Sequence, residues 1–149
     1  MYNMTTAQNT TQELFGDVIY AYTREMALDD GYLVDVTEAA RETGFRYPVA
    51  LTRAAWENCV EWMAADIARK QNGTCQDERG RLHDVLWMAF LAVRRARVEC
   101  RSDTVIYFEL YRVPREGRGV KPRRTMLKAV CGPGDNAEQV ITIMLPGED

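Results

Sequence analysis

Apolar positions recur at intervals of three and four along most of the first hundred residues, and at intervals of two beyond them. The first spacing lines one face of a helix, the second one face of a strand. Leu14, Val18, Ile19, Tyr22 and Met26 carry the helical spacing. Thr23 is placed to cap a short helix that runs to Asp30 and stops at Gly31. Residues 32–36 and 48–51 read as short extended segments, and between them Thr37 is the expected N-cap of a helix over residues 38–43, closed by Gly44. Thr52 caps the next helix, predicted over residues 53–70. Its stripe of Trp56, Val60, Met63 and Ile67 steps by 4, 3 and 4 residues, with Glu57, Glu61, Asp66 and Lys70 pointing away. After a polar loop over residues 71–80, residues 81–97 form a second long helix. Its middle, residues 85–93, is apolar on every side, which predicts a central, buried helix. Arg94, Arg95 and Arg97 in its last turn complement the negative end of the helix dipole.

Beyond residue 103 the chain is rich in β-branched and aromatic residues over 104–113 and 140–145, and residues 124–131 alternate. Arg124, Met126, Lys128 and Val130 fall on one face, and Thr125, Leu127, Ala129 and Cys131 on the other. Glycine-rich turns at residues 115–119 and 132–136 separate the three strands. The expected fold is therefore α+β, with a helical N-terminal half packed on a three-stranded antiparallel β-meander from the C-terminal half. Residues 1–13, polar and without periodicity, read as a flexible N-terminal segment. Residues 14–149 are left as a single α+β domain.

With 149 residues, 46% hydrophobic and 28% charged, the chain holds enough apolar surface for one core. A single histidine excludes a multi-histidine zinc or iron site. Cys59, Cys75, Cys100 and Cys131 make no C-x-x-C pair, so no metal, redox motif or cofactor is expected. The longest apolar run, nine residues, is well short of the roughly 20 that span a membrane. Residues 1–12 have neither the basic start nor the apolar stretch of a signal peptide. A cytoplasmic location with reduced thiols and no membrane contact is the expectation.

Charge adds an asymmetry that the net value of −3 conceals. Residues 1–78 hold six basic and thirteen acidic side chains, a balance of −7, whereas residues 79–149 hold thirteen and nine, a balance of +4. Between Arg79 and Lys128 thirteen basic residues meet five acidic ones, giving +8. Sixteen of the nineteen basic residues are arginine, whose planar fork suits carboxylates, phosphates and aromatic faces. Two binding surfaces follow. One is acidic, built from Asp29, Asp30, Asp35, Glu38, Glu42, Glu57 and Glu61. The other is basic, built from Arg94, Arg95, Arg97, Arg101, Arg112, Arg115, Arg118, Arg123 and Arg124.

Catalytic chemistry has less to stand on. The Gly117-Arg118-Gly119 and Gly132-Pro133-Gly134 turns lie between strands and lack the helix N-terminus of a phosphate-binding loop. Asp35 and Asp84 adjoin apolar runs and His83 precedes Asp84, so these three are the residues of a small-enzyme reading, but a turn or cap role fits each of them. Tyr107, Phe108 and Tyr111 stand among the basic residues, as in single-strand binding. Alternation puts Phe108 opposite the two tyrosines, and a sequence pI of about 5.3 opposes a dedicated nucleic-acid binder.

An ordered set of strings completes the reading: Asp30-Gly31-Tyr32-Leu33-Val34-Asp35, Gly44-Phe45-Arg46-Tyr47-Pro48, Asp84-Val85-Leu86-Trp87-Met88, Gly132-Pro133-Gly134-Asp135 and Pro146-Gly147-Glu148-Asp149. Together they resemble a family of small proteins of unknown function encoded on bacterial plasmids, integrative elements and phages, over residues 14–149. The resemblance implies no catalytic residues. It also speaks against a catalytic role for His83, since similar sequences often carry Trp there. For function it implies a non-enzymatic mobile-element accessory protein in the bacterial cytoplasm. Such a protein binds and inhibits or remodels a host defence nucleoprotein complex, in the manner of an anti-CRISPR protein. The partner would be a host protein or ribonucleoprotein complex such as a CRISPR effector. The alternative from the residues themselves is a nucleic-acid-binding accessory or regulatory factor using the Arg-rich segment 94–128.

Overall fold

The computed structural model describes residues 22–149. The segment 1–13 and the helical spacing at Leu14, Val18 and Ile19 lie outside the described residues. The first described helix, α1 (Arg24–Asp29), starts at Thr23, whose hydroxyl accepts from Met26 N at 3.1 Å. Gly31 ends it at φ +81°, a conformation that a Cβ disfavours. A second cap comes from far along the chain, where the Asp135 carboxylate accepts from Arg24 N and Glu25 N at 2.9 Å each. These bonds hold the Asp135 carboxyl below the usual carboxylate range.

Strand β1 (Leu33–Asp35) leads into α2 (Thr37–Thr43). The cap here differs from expectation. Thr37 is already helical, and its hydroxyl donates to Asp35 Oδ1 at 2.6 Å while its N–H donates to the same atom at 3.0 Å. Strand β2 (Val49–Thr52) follows, and Thr52 caps α3 (Arg53–Cys59) as predicted, accepting from Ala55 N at 3.2 Å.

The single helix expected over residues 53–70 is instead two. Val60 N and Glu61 N both donate to Trp56 O, at 2.8 and 2.9 Å, which closes α3. A new helix, α4 (Ala64–Arg69), starts where the Asp66 carboxylate reaches back to Met63 N at 2.8 Å. The break rotates the predicted stripe out of register. Asp66 is fully buried, while Met63 and Ile67 are exposed. The long helix α5 (Glu78–Val98) is capped by Asp77, which accepts from Gly80 N at 2.6 Å. It is not central. Val85, Leu86, Ala89 and Ala96 are buried, but Trp87, Met88 and Leu91 face outward, because among the described residues the sheet packs on one side of the helix only.

Strands β3 (Val105–Arg112), β4 (Arg123–Pro133) and β5 (Gln139–Met144) form the predicted antiparallel meander, but they do not stand alone. The free edge of β5 takes β2 in parallel, with Val49 beside Ile141 and Leu51 beside Ile143, and β1 pairs antiparallel with β2. The result among the described residues is a five-stranded mixed sheet of order β1-β2-β5-β4-β3, to which the N-terminal half contributes two strands. Val49, Ala50 and Leu51 are buried without alternation, as a strand covered on both faces is. The core lies between one sheet face and the helices. Phe108, Leu127, Ile143 and Leu51 from the sheet meet Leu86 and Ala89 of α5, Ala55 of α3 and Ala40 of α2. No described helix is long and apolar enough to cross a membrane.

Candidate functional site

The other sheet face is divided. Over β1, β2 and β5 it is covered: Arg24 of α1 donates from Nη1 to Thr142 Oγ1 at 2.7 Å and from Nη2 to Ile141 O at 3.3 Å. The Glu148 carboxylate accepts from Thr52 Oγ1 at 2.7 Å and Leu145 N at 2.8 Å, and Lys128 Nζ donates to Glu148 O, so the 145–148 turn is tied across it. Over β3 and β4 no described element crosses the face. Ile106, Phe108 and Leu110 point to the core, so Tyr107, Glu109 and Tyr111 point out. Tyr107 is 55% exposed and Tyr111 68%. Register places Lys128 beside Tyr107, Met126 beside Glu109 and Arg124 beside Tyr111. The two tyrosines are spaced about 13 Å apart at 3.3 Å per residue. Arg124 also lies 3.7 Å from Glu109, an exposed pair.

At the hairpin end of β3 and β4 lies a hollow of about 470 Å³ lined by Arg112, Lys121, Arg123 and Arg124, with Glu116 its one carboxylate among the described residues. Arg112 and Arg123 are direct cross-strand partners. Like charges so placed oppose the sheet unless an anion neutralises them. The loop that carries the hollow is clamped from α4. Buried Lys70 donates from Nζ to Glu116 O at 3.1 Å and Gly119 O at 2.7 Å, and Arg69 donates to Arg115 O at 2.6 Å. Arg115 in turn bonds Asp66 Oδ2 at 3.0 Å and the Glu61 carboxylate. Burial alone would raise the Asp66 carboxyl. The Met63 N–H and the guanidinium groups of Arg115 and Arg69 outweigh it and hold the group below the usual range.

The basic residues anticipated as one surface separate into groups. Arg112, Arg123 and Arg124 gather at the hairpin end of β3 and β4, and Arg118 lies exposed in the hairpin loop. Arg94, Arg95, Arg97 and Arg101 lie at the opposite end, about 23 Å away along an eight-residue strand. There Arg95 pairs with Glu99 at 2.9 Å and Arg101 with Asp103 at 2.6 Å. Arg115 is withdrawn into the α4 clamp. The acidic set also divides. Asp35, Glu38 and Glu42 line one hollow with Trp56 and Arg79. Asp29 and Asp30 end α1, with Asp30 accepting from Tyr22 Oη at 2.8 Å. Glu57 lines a separate hollow with Asp66 and Arg115, and Glu61 belongs to the clamp.

The small-enzyme residues are not brought together. Asp35 Oδ1 is occupied by Thr37. His83 stacks on Trp87 with centroids 6.4 Å apart, and Asp84 beside it is exposed. Burial pushes the Cys59 thiol up despite nearby Arg112, and no group of metal-ligating side chains forms among the described residues. Two cations escaped the sequence reading, Lys70 and Arg81. Arg81 was detectable, because it shares a helix face with Val85 and Ala89 at steps of four.

A sequence profile of DUF6573, a family of unknown function, matches residues 12–149. The chain belongs to this family. No curated protein and no solved structure matches it. DUF6573 thus takes in every described element, including the open face of β3 and β4 and the hollow at its end.

Proposed function

We propose that this protein is a non-enzymatic nucleic-acid-binding accessory protein that holds a single strand along the outer face of β3 and β4. One observation carries the reading: Tyr107 and Tyr111 stand exposed on one strand face, each beside a cation, Lys128 and Arg124. Free tyrosine rings stack bases of any sequence, and neighbouring cations hold the phosphates. Arg124 also lines the hollow at the hairpin end of the strands, where exposed Lys121 adds a cation beyond Tyr111. The acidic overall balance does not oppose this, since exposed charges more than about 8 Å away are largely screened at physiological salt.

Fluorescence anisotropy with a labelled single-stranded oligonucleotide tests it. Tyr107→Ala and Tyr111→Ala each weaken binding by about tenfold, in line with roughly 1–3 kcal/mol per stacked base. Arg124→Ala lowers the slope of log affinity against log salt by about 0.7. Affinity that is flat with salt, or untouched in the double tyrosine variant, rejects the reading.

The outer side of α5 favours a second reading, because Trp87, Met88 and Leu91 form an exposed apolar stripe of the kind that meets a protein partner. In it the protein comes from a mobile element and inhibits a host defence nucleoprotein complex as an anti-CRISPR protein does, seating the stripe on a protein subunit. Leu91→Glu then abolishes inhibition of target cleavage by a purified CRISPR effector while oligonucleotide binding persists. Cleavage that the protein does not inhibit, or inhibition that survives Leu91→Glu, counts against it.

A further inference from the structure

Between the first turns of α5 and the end of β3 lies a pocket of about 100 Å³, lined among others by Arg81, Gln76, Arg112, Tyr111 and Asp84. Sites for drug-sized molecules run to about 300–1,000 Å³, so only a small ligand fits. Arg81 is 3% exposed. Its Nε donates to Val60 O at 3.1 Å, and its Nη1 to Val113 O at 3.0 Å and Gln76 Oε1 at 3.3 Å. Its Cζ lies over the Trp62 ring, 4.8 Å from the centroid. Nη2, with its two N–H donors, meets no acceptor among the described residues.

None of the ion pairs among the described residues includes Arg81. All three of its acceptors are neutral. A charge taken out of water is ordinarily neutralised by a partner. The charges that reach it are two cations, Arg115 and Arg112, whose Nε is held by Asn58 Oδ1 at 2.8 Å, and one carboxylate, Asp66, which is already bonded to Arg115 and Arg69. Burial and then Arg112 push the Arg81 guanidinium below its ordinary pKa. Asp84 is largely exposed, and water screens it.

We propose that this pocket is a subsite for a small oxyanion of the phosphate class, bound by Arg81 Nη2 with Arg112 as the second cation. It stands whether or not the outer sheet face takes nucleic acid. The chemistry is that of a free phosphate ion or of a terminal phosphomonoester, and the two sources are separable.

Calorimetric titration of the full chain with inorganic phosphate, against chloride at equal ionic strength, is the test. Saturable binding is expected, weakened at least tenfold by Arg81→Lys and by Arg112→Gln. If Arg81→Lys does not fold, Arg112→Gln decides together with Lys121→Gln, which removes a cation from the neighbouring hollow only and leaves phosphate binding intact. Tyr107→Ala, outside the pocket, leaves phosphate binding intact even where single-strand binding is lost. A tighter hold on a 5′-phosphorylated oligonucleotide than on its 5′-hydroxyl counterpart identifies the terminal group as the source, and equal affinities identify the free ion. No saturable phosphate binding together with no gain from the 5′-phosphate overturns the proposal. So does phosphate binding that Arg112→Gln leaves unchanged.

Discussion

Arg115 and Arg81 are both withdrawn from water on the same side of the molecule, yet they are satisfied differently. Arg115 bonds two carboxylates, Asp66 and Glu61, and with Lys70 and Arg69 it fastens the hairpin loop to α4. Among the described residues Arg81 bonds only the Val60 and Val113 carbonyls and the Gln76 amide, and one nitrogen is left over. The first arrangement closes on itself and is structural. The second has no ion-pair partner among the described residues and keeps an unused donor, so it has an incentive to bind. Burial of an arginine therefore says little by itself; the partners decide whether it fastens or recruits.

Substitutions sharpen the contrast. The largest effect is expected at Asp66, because Asp66→Asn leaves Arg115 and Arg69 facing a neutral amide in a buried setting. Urea denaturation should report a loss of about 3–5 kcal/mol, and a loss below about 1 kcal/mol would show that the clamp is not structural. The same variant has a pH signature. The Asp66 carboxyl sits below its unfolded value, so its contribution is complete above the ordinary carboxylate pKa of about 4 and disappears as pH falls through the folded value. The acid limb of the wild-type stability curve should be steeper than that of Asp66→Asn.

Arg115→Met comes next, at about 2–3 kcal/mol, since Asp66 keeps Arg69 and the Met63 N–H. Arg81→Met should cost only about 1 kcal/mol, because stranding the Val60 and Val113 carbonyls is offset by removing an unpaired buried charge. Equal losses in Arg81→Met and Arg115→Met would erase the distinction. At the lower end, Arg95→Ala breaks an exposed pair with Glu99 and should leave the denaturation midpoint where it was.

Half-buried structure was the legible part of the sequence. Strands β3 and β4 alternate because one face meets the core and the other does not, and that contrast is written residue by residue. Strand β2 lacks it: Val49, Ala50 and Leu51 are all covered, so nothing in their order announces a parallel partner at Ile141. The break after Cys59 was hidden for a different reason. The apolar spacing of Trp56, Val60, Met63 and Ile67 suits an unbroken helix, and only the reach of Asp66 to Met63 N restarts the chain in a new direction. Of the site, the tyrosines and hairpin arginines were visible as alternation and charge. Arg81 was not sought because an arginine in the first turns of a helix ordinarily points to solvent.

The position of β5 in the sheet bears on how the chain is made. Val49 waits for Ile141, 92 positions later, before β1 and β2 can join the rest of the sheet. Loops this long close slowly, and pairings this distant lengthen folding times. During synthesis the first two strands must remain an unattached antiparallel pair, joined through α2, until β5 has cleared the ribosome. Over that interval the apolar Val49–Leu51 run is exposed to any chaperone, or to any other unpaired strand edge in the cell.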